Sequence, residues 1–125
     1  VETIMLGHTR WIIAEGYIPP DDQSKSRPLV SHEAFCVLNA GDEDAELSIM
    51  IYYGDREPVG PYKAKVAARR TNHIRFNDFN DPEPIPKGTD YASVISSNVP
   101  IVVQHTRLDS RSGPIALMTT VAYPG

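Results

Sequence analysis

The densest run of side chains able to do chemistry is Gln104-His105-Thr106-Arg107-Leu108-Asp109, which closes the apolar stretch Ile101-Val102-Val103. On an extended strand successive side chains alternate between faces, so His105, Arg107 and Asp109 share one side. Arginine offers a planar fork to a carboxylate or phosphate, and Asp109 is placed to orient it. The expectation is a polar pocket at a strand end, where rigid scaffolds carry their sites. The alternative is a surface Arg–Asp pair with a capping histidine.

A second run, Arg69-Arg70-Thr71-Asn72-His73-Ile74-Arg75, is the only local excess of positive charge. His73 and Arg75 are candidate anion contacts there. The simpler reading is a solvated strand face paired with nearby acids. No aromatic residue is interleaved, which weakens a base-stacking surface. Trp11, with Glu15 and Tyr17, would present an aromatic face and a carboxylate to a sugar-like ligand, unless Trp11 is core. Together with His32 these positions define the candidate ligand-binding set: Trp11, Glu15, His32, His73, Arg75, Gln104, His105 and Arg107.

Other chemistries find less support. Ser31-His32-Glu33 has the residue types of a hydrolytic triad, but neighbours on a strand point to opposite faces and cannot converge. No Gly-x-Ser-x-Gly elbow is present. His8, His32, His73 and His105 lie on separate segments, with no His-Glu-x-x-His or Cys-x-x-Cys spacing, so no metal is expected. No phosphate-cradling glycine loop occurs. The expectation is therefore a non-enzymatic protein without a cofactor.

These side chains must be positioned by short extended segments. Thr9–Ala14, Ala34–Asn39, Glu46–Tyr53, Tyr62–Ala67, Asn72–Asn77, Tyr91–Ser96, Pro100–Leu108 and Ala116–Tyr123 read as strands. The clearest is Glu46–Tyr53, in which Leu47, Ile49, Ile51 and Tyr53 alternate with the intervening residues. Gly16–Pro28, Gly54–Pro61 and Asp78–Asp90 read as loops or turns. About eight short strands between turn signals predict an all-β, antiparallel, jelly-roll-like β-sandwich. The 11 prolines and 8 glycines suit many turns.

The 125 residues fit a single domain spanning 1–125, with 41% hydrophobic and 22% charged residues as in globular proteins. The net charge of -4 argues against non-specific nucleic-acid binding, which needs a positive field. No apolar stretch is long enough to cross a bilayer. The single cysteine, Cys36, suits a reducing compartment, so the cytoplasm is expected.

Several stretches resemble the sensory rhodopsin transducer family: Trp11–Pro20 (WIIAEGYIPP), Ser31–Ala45 (SHEAFCVLNAGDEDA), Ile51–Tyr62 (IYYGDREPVGPY), Ala67–Asp78 (AARRTNHIRFND) and Asp90–Arg111 (DYASVISSNVPIVVQHTRLDSR). The last block is long and unusual enough to be specific. The resemblance implies a jelly-roll sandwich, a homotetramer, and a cytosolic protein taking a signal from a membrane rhodopsin or another signalling protein. For relatives in bacteria without a rhodopsin it implies a small-molecule ligand, a sugar or sugar derivative. It carries no catalytic residue set. The Asp21–Arg27 loop and Gly113-Pro114 are the least family-like parts.

Overall fold

The strictest alternation in the sequence becomes a strand in which Leu47, Ile49 and Ile51 are buried and Glu46 and Tyr52 are exposed. A two-residue period assigns one set to each face, and burial of the apolar set fixes the register. The computed structural model describes residues 6–20, 27–111 and 115–125. Among them the same logic gives eight strands: β1 (His8–Tyr17), β2 (His32–Asn39), β3 (Ala45–Tyr53), β4 (Val59–Val66), β5 (Arg70–Arg75), β6 (Asp90–Asp109), β7 (Ala116–Val121) and β8 (Tyr123–Pro124). The only helical segments among the described residues are the single 3-10 turns Arg27–Leu29 and Phe76–Asp78. No helix is long and apolar enough to cross a membrane.

Every pairing is antiparallel. One sheet runs β4-β3-β6-β1-β8, and the other runs β5-β2-β6-β7. The long β6 belongs to both. Its first half, Tyr91–Ser97, pairs with β3 and β1, and its second half, Val102–Asp109, pairs with β2 and β7. Between the sheets lie Trp11, Ile13, Phe35, Val37, Ile49, Tyr62, Ile95, Ile101 and Val103, all buried. Phe76, Phe79 and Tyr91 extend this core, with Phe76 in ring contact with both others. The chain thus adopts the expected all-β antiparallel sandwich of about eight strands.

The local departures have physical causes. Tyr91–Ser96 and Pro100–Leu108 were expected as two strands but are one. Asn98–Pro100 have no register partner where β6 passes from sheet to sheet, and a proline is tolerated where no ladder bond is required. Expected turn residues Val59, Gly60 and Pro61 open β4, which is an edge strand and tolerates them for the same reason. Ala116–Tyr123 divides at the buried Ala122, so β7 joins one sheet and β8 the other.

The expected loop over Gly16–Pro28 starts later, because β1 continues to Tyr17. A register irregularity between Ile13 and Gly16 accommodates the continuation. Gly16 is required there: a Cβ would sit 2.6 Å from the Tyr91 ring and 2.7 Å from the Tyr91 carbonyl. Residues 21–26 of that loop, and Gly113-Pro114, lie outside the described residues.

Candidate functional site

Glu33 is the most unusual side chain in the core: a carboxylate with no exposed surface. The β2 alternation that buries Phe35 and Val37 also turns Glu33 inward, because 33, 35 and 37 share a face. In the β2–β6 ladder Glu33 lies opposite Arg107, and Phe35 opposite His105. His105 and Arg107 therefore point inward beside it. His105 Nε2 hydrogen-bonds Glu33 Oε1. Arg107 donates from Nε to Oε2 at 2.7 Å and from Nη2 to Oε1 at 3.3 Å. Both carboxylate oxygens are thereby satisfied, as a buried charge requires. The hydrogen bond to Glu33 raises the Arg107 pKa above its ordinary value. The Glu33 backbone is held in turn: its N–H donates to Asn77 Oδ1 at 3.0 Å, and Asn77 Nδ2 donates to the Ser31 carbonyl at 3.2 Å.

The first half of β6 supplies the facing groups. Tyr91 is 4% exposed and feels the charges of Glu33 and Arg107, and burial drives its hydroxyl pKa well above the usual range. Its hydroxyl has no hydrogen-bond partner among the described residues. The same holds for Ser93, the next inward position of β6, whereas Tyr53, the cross-strand neighbour of Tyr91 on β3, has the Arg56 guanidinium 3.9 Å from its ring centre and acting on its hydroxyl. At the rim, the Arg107 and Arg111 guanidiniums lie 5.8 and 5.7 Å from the centre of the Tyr17 ring. Exposed Glu15 acts on Arg107 through its charge.

The eight residues singled out from sequence divide among four places. His105, Arg107 and Glu15 come together at this polar end. Trp11 is in the core, its indole N–H donating to the His8 carbonyl at 3.1 Å and the Ile101 carbonyl at 2.9 Å. His73 and Gln104 flank Cys36 on the opposite face of the second sheet. His32 is on that outer face too, its Nδ1 2.9 Å from the Val30 carbonyl, and Arg75 Nη1 donates to the Arg27 carbonyl at 3.2 Å. Strand alternation enforces the split, since Gln104 and His105 cannot share a side. It also separates Ser31-His32-Glu33, with His32 facing out and Glu33 in.

One expectation is corrected. Asp109 does not orient Arg107; it pairs with Arg111 at 2.7 Å, and Glu33 orients Arg107. Glu33, Tyr53, Tyr91 and Ser93 were absent from the sequence-derived set. Alternation with Phe35 and Val37 was the available signal for Glu33. Among the described residues, no group of three or more His, Cys, Asp or Glu side chains is arranged to hold a metal ion.

Comparison with known proteins places this geometry in a family. Residues 6–124 match the family model described as Anabaena sensory rhodopsin transducer. The structure of the Anabaena sensory rhodopsin transducer is 63% identical, with a TM-score of 0.75, covering 82% of this chain and 100% of that one. The crystal structure of Thermotoga maritima 1070 is 36% identical, with a TM-score of 0.83 and 97% coverage of each chain. No curated protein matches. With the family model spanning nearly the whole sandwich, and with it every residue of the Glu33 cluster, the chain belongs to the Anabaena sensory rhodopsin transducer family.

Proposed function

We propose that this chain is a non-enzymatic, cytoplasmic signal transducer that relays the state of a membrane rhodopsin or another receptor through protein–protein contacts, working as a homotetramer of single sandwich domains. Family membership supports this class of function. The observation that supports relay by contact is β7. All six of its residues are exposed, with Leu117 at 68% and Val121 at 65%, and Ile115 and Tyr123 beside it are also exposed. Among the described residues it is an edge strand with one side of its ladder open, a template for pairing with another chain. Nucleic acid is not the partner in this reading, given the net charge of -4.

Light scattering after size exclusion tests the assembly, and titration against rhodopsin in nanodiscs tests the relay. The wild type is expected to be tetrameric and to bind. Leu117→Lys with Val121→Lys is expected to lose one or both while keeping its β-sheet circular dichroism. A monomeric wild type refutes the assembly, and an unaltered double variant removes β7 from it.

A second reading, favoured by the Glu33–His105–Arg107 cluster, is a small-molecule binding domain for a sugar or sugar derivative. Glu15, His105 and Arg107 are the members of the sequence-derived set that this reading retains. The two readings are compatible: His105 and Arg107 reach the cluster from one face of β6, while the backbone of the same residues pairs with Thr120 and Met118 of β7.

A further inference from the structure

β5 is the outermost strand of the second sheet: it pairs with β2 on one side and, among the described residues, with no strand on the other. Its outward N–H and C=O groups form an open template for a further strand. Unlike β7 this edge is polar and cationic, Arg70-Thr71-Asn72-His73-Ile74-Arg75, with its first four residues exposed and its last two half-buried. Both of its arginines turn to carbonyls. Arg70 Nη1 donates to the Arg69 carbonyl at 3.0 Å, and Arg75 Nη1 to the Arg27 carbonyl at 3.2 Å. Arg27, Arg56, Arg69, Arg107 and Arg111, by contrast, each meet a carboxylate. Burial lowers the Arg75 pKa and the Arg27 charge lowers it further, with Asp78 opposing. Arg75 thus sits where a counter-charge is wanting.

The edge itself selects what pairs with it. Two copies joined antiparallel through β5 about its centre set Arg70 opposite Arg75 at both ends, and like charges directly opposed destabilise a ladder. β7 of another copy, Ala116–Val121, brings no charge to meet them. A phosphate backbone meets the arginines but also the outward carbonyls, which repel it, and the run carries no aromatic residue on which a base would stack. An extended acidic peptide matches both features: its own N–H and C=O groups complete the ladder, and its carboxylates meet the guanidiniums. The spacing fixes the pattern of acids. Arg75 and His73 share one face of the sheet, and Arg70 is on the other. Carboxylates opposite Arg75, His73 and Arg70 are then the first, third and sixth residues of an antiparallel partner.

We propose that the open edge of β5 docks an extended acidic segment of a partner protein, which adds antiparallel to the second sheet and sets carboxylates against Arg75, His73 and Arg70. This surface is separate from β7, so the proposal stands whether or not copies of the chain assemble through that strand.

Fluorescence anisotropy with a labelled, end-blocked peptide of sequence TEVEVTET tests it. The comparison probes are the same peptide with glutamine for glutamate, two versions N-methylated at alternate residues, and an oligothymidylate. The acidic peptide is expected to bind, and the glutamine version to bind about tenfold more weakly, the combined loss of three exposed charge pairs. Of the two methylated versions, the one blocked on the edge that faces β5 is expected to lose binding and the other to keep it, because ladder bonds leave a strand on alternate residues. Arg70→Glu combined with Arg75→Glu is expected to lose the acidic peptide and to bind a version with lysine for glutamate, with its β-sheet circular dichroism unchanged. If that variant does not fold, the peptide series alone decides. No binding by the wild type, or equal binding of the glutamine version, overturns the proposal. Retention of both methylated versions overturns strand addition, since charge alone would then account for the contact. Tighter binding of the oligothymidylate than of the acidic peptide overturns the partner class in favour of nucleic acid.

Discussion

Glu33 and Arg107 face each other across the β2–β6 ladder and meet side chain to side chain, yet their exposure is unequal: none for the glutamate side chain and 17% for the arginine side chain. That asymmetry decides which partner the fold can spare. Removing one member of a buried pair strands the other, and the penalty depends on whether the stranded charge can reach water. Arginine can redirect its head toward solvent while its stem stays packed. Glu33 has no such route.

Arg107→Ala is therefore expected to destabilise the protein more than Glu33→Ala does. The first should cost about 3–5 kcal/mol. The second should cost about 1–3 kcal/mol, near that of lost hydrogen bonds to a charged group. Combining them should cost less than the sum, because the double variant leaves no buried carboxylate. Urea unfolding of the three variants gives all the terms. The reverse order, or strict additivity, would mean that the carboxylate is hydrated by a route the fold does not suggest.

Trp11 tests a different kind of anchoring. Its indole N–H is shared between the His8 and Ile101 carbonyls, tying the start of β1 to β6 at the point where β6 changes sheets. Trp11→Phe keeps an aromatic ring but removes the donor and some buried surface. A loss of about 1–3 kcal/mol is expected, read by circular dichroism because the only tryptophan is gone. An unchanged unfolding midpoint would show that the shared bond contributes nothing.

Much of this architecture was legible in the sequence, for a reason that also explains what was missed. Alternation reports local geometry, so the two faces of β3 and the shared face of His105 and Arg107 were readable from residue type and position. It does not report which distant strand lies opposite. Asp109 was the nearest acid to Arg107 in sequence, but Glu33, 74 positions away, is its partner. Tyr91 and Ser93 looked like ordinary strand residues, since an orphaned hydroxyl is a property of the folded neighbourhood. The continuity of β6 was hidden by Pro100, whose missing donor is harmless because Asn98–Pro100 have no register partner in either ladder. The exposure of both faces of β7 was hidden too, because apolar residues in a strand do not by themselves tell a core strand from an open edge.

Asn39 closes the far end of β2, and its amide is fully enclosed. Nδ2 donates to the Glu43 carbonyl at 2.8 Å and the Val66 carbonyl at 3.1 Å, with the Ala67 carbonyl at 3.3 Å, while Oδ1 accepts from the Gly41 N–H at 3.1 Å. Asn39→Asp is nearly isosteric but offers an acceptor to three carbonyls. It is expected to cost about 3 kcal/mol or more at neutral pH, through an unpaired buried charge, and to recover part of this as pH falls toward about 4, because burial raises the carboxyl's folded pKa above its unfolded value. Urea midpoints at pH 7 and pH 4, each relative to wild type, measure both effects. A pH-independent difference would mean that the new carboxyl is already protonated or has moved to solvent.

His32 supplies a pH dependence whose sign follows from its setting. Burial is the main cause that lowers its pKa, and the Arg75 and Arg27 charges add to it. The Val30 carbonyl and Asp78 oppose the shift without cancelling it. The unfolded chain takes up this proton near pH 6.5, whereas the folded chain does so only at lower pH. Between the two values the unfolded state binds more protons, so acid favours unfolding. The contribution of His32 is thus fully present above about pH 6.5 and is lost as pH falls through its folded value. Wild-type stability is expected to drop between pH 7.5 and pH 5.5, and His32→Gln is expected to drop less over the same interval. Because every other titrating group is common to both proteins, the difference between the two slopes isolates the imidazole. Parallel slopes would show that its proton affinity is the same folded and unfolded.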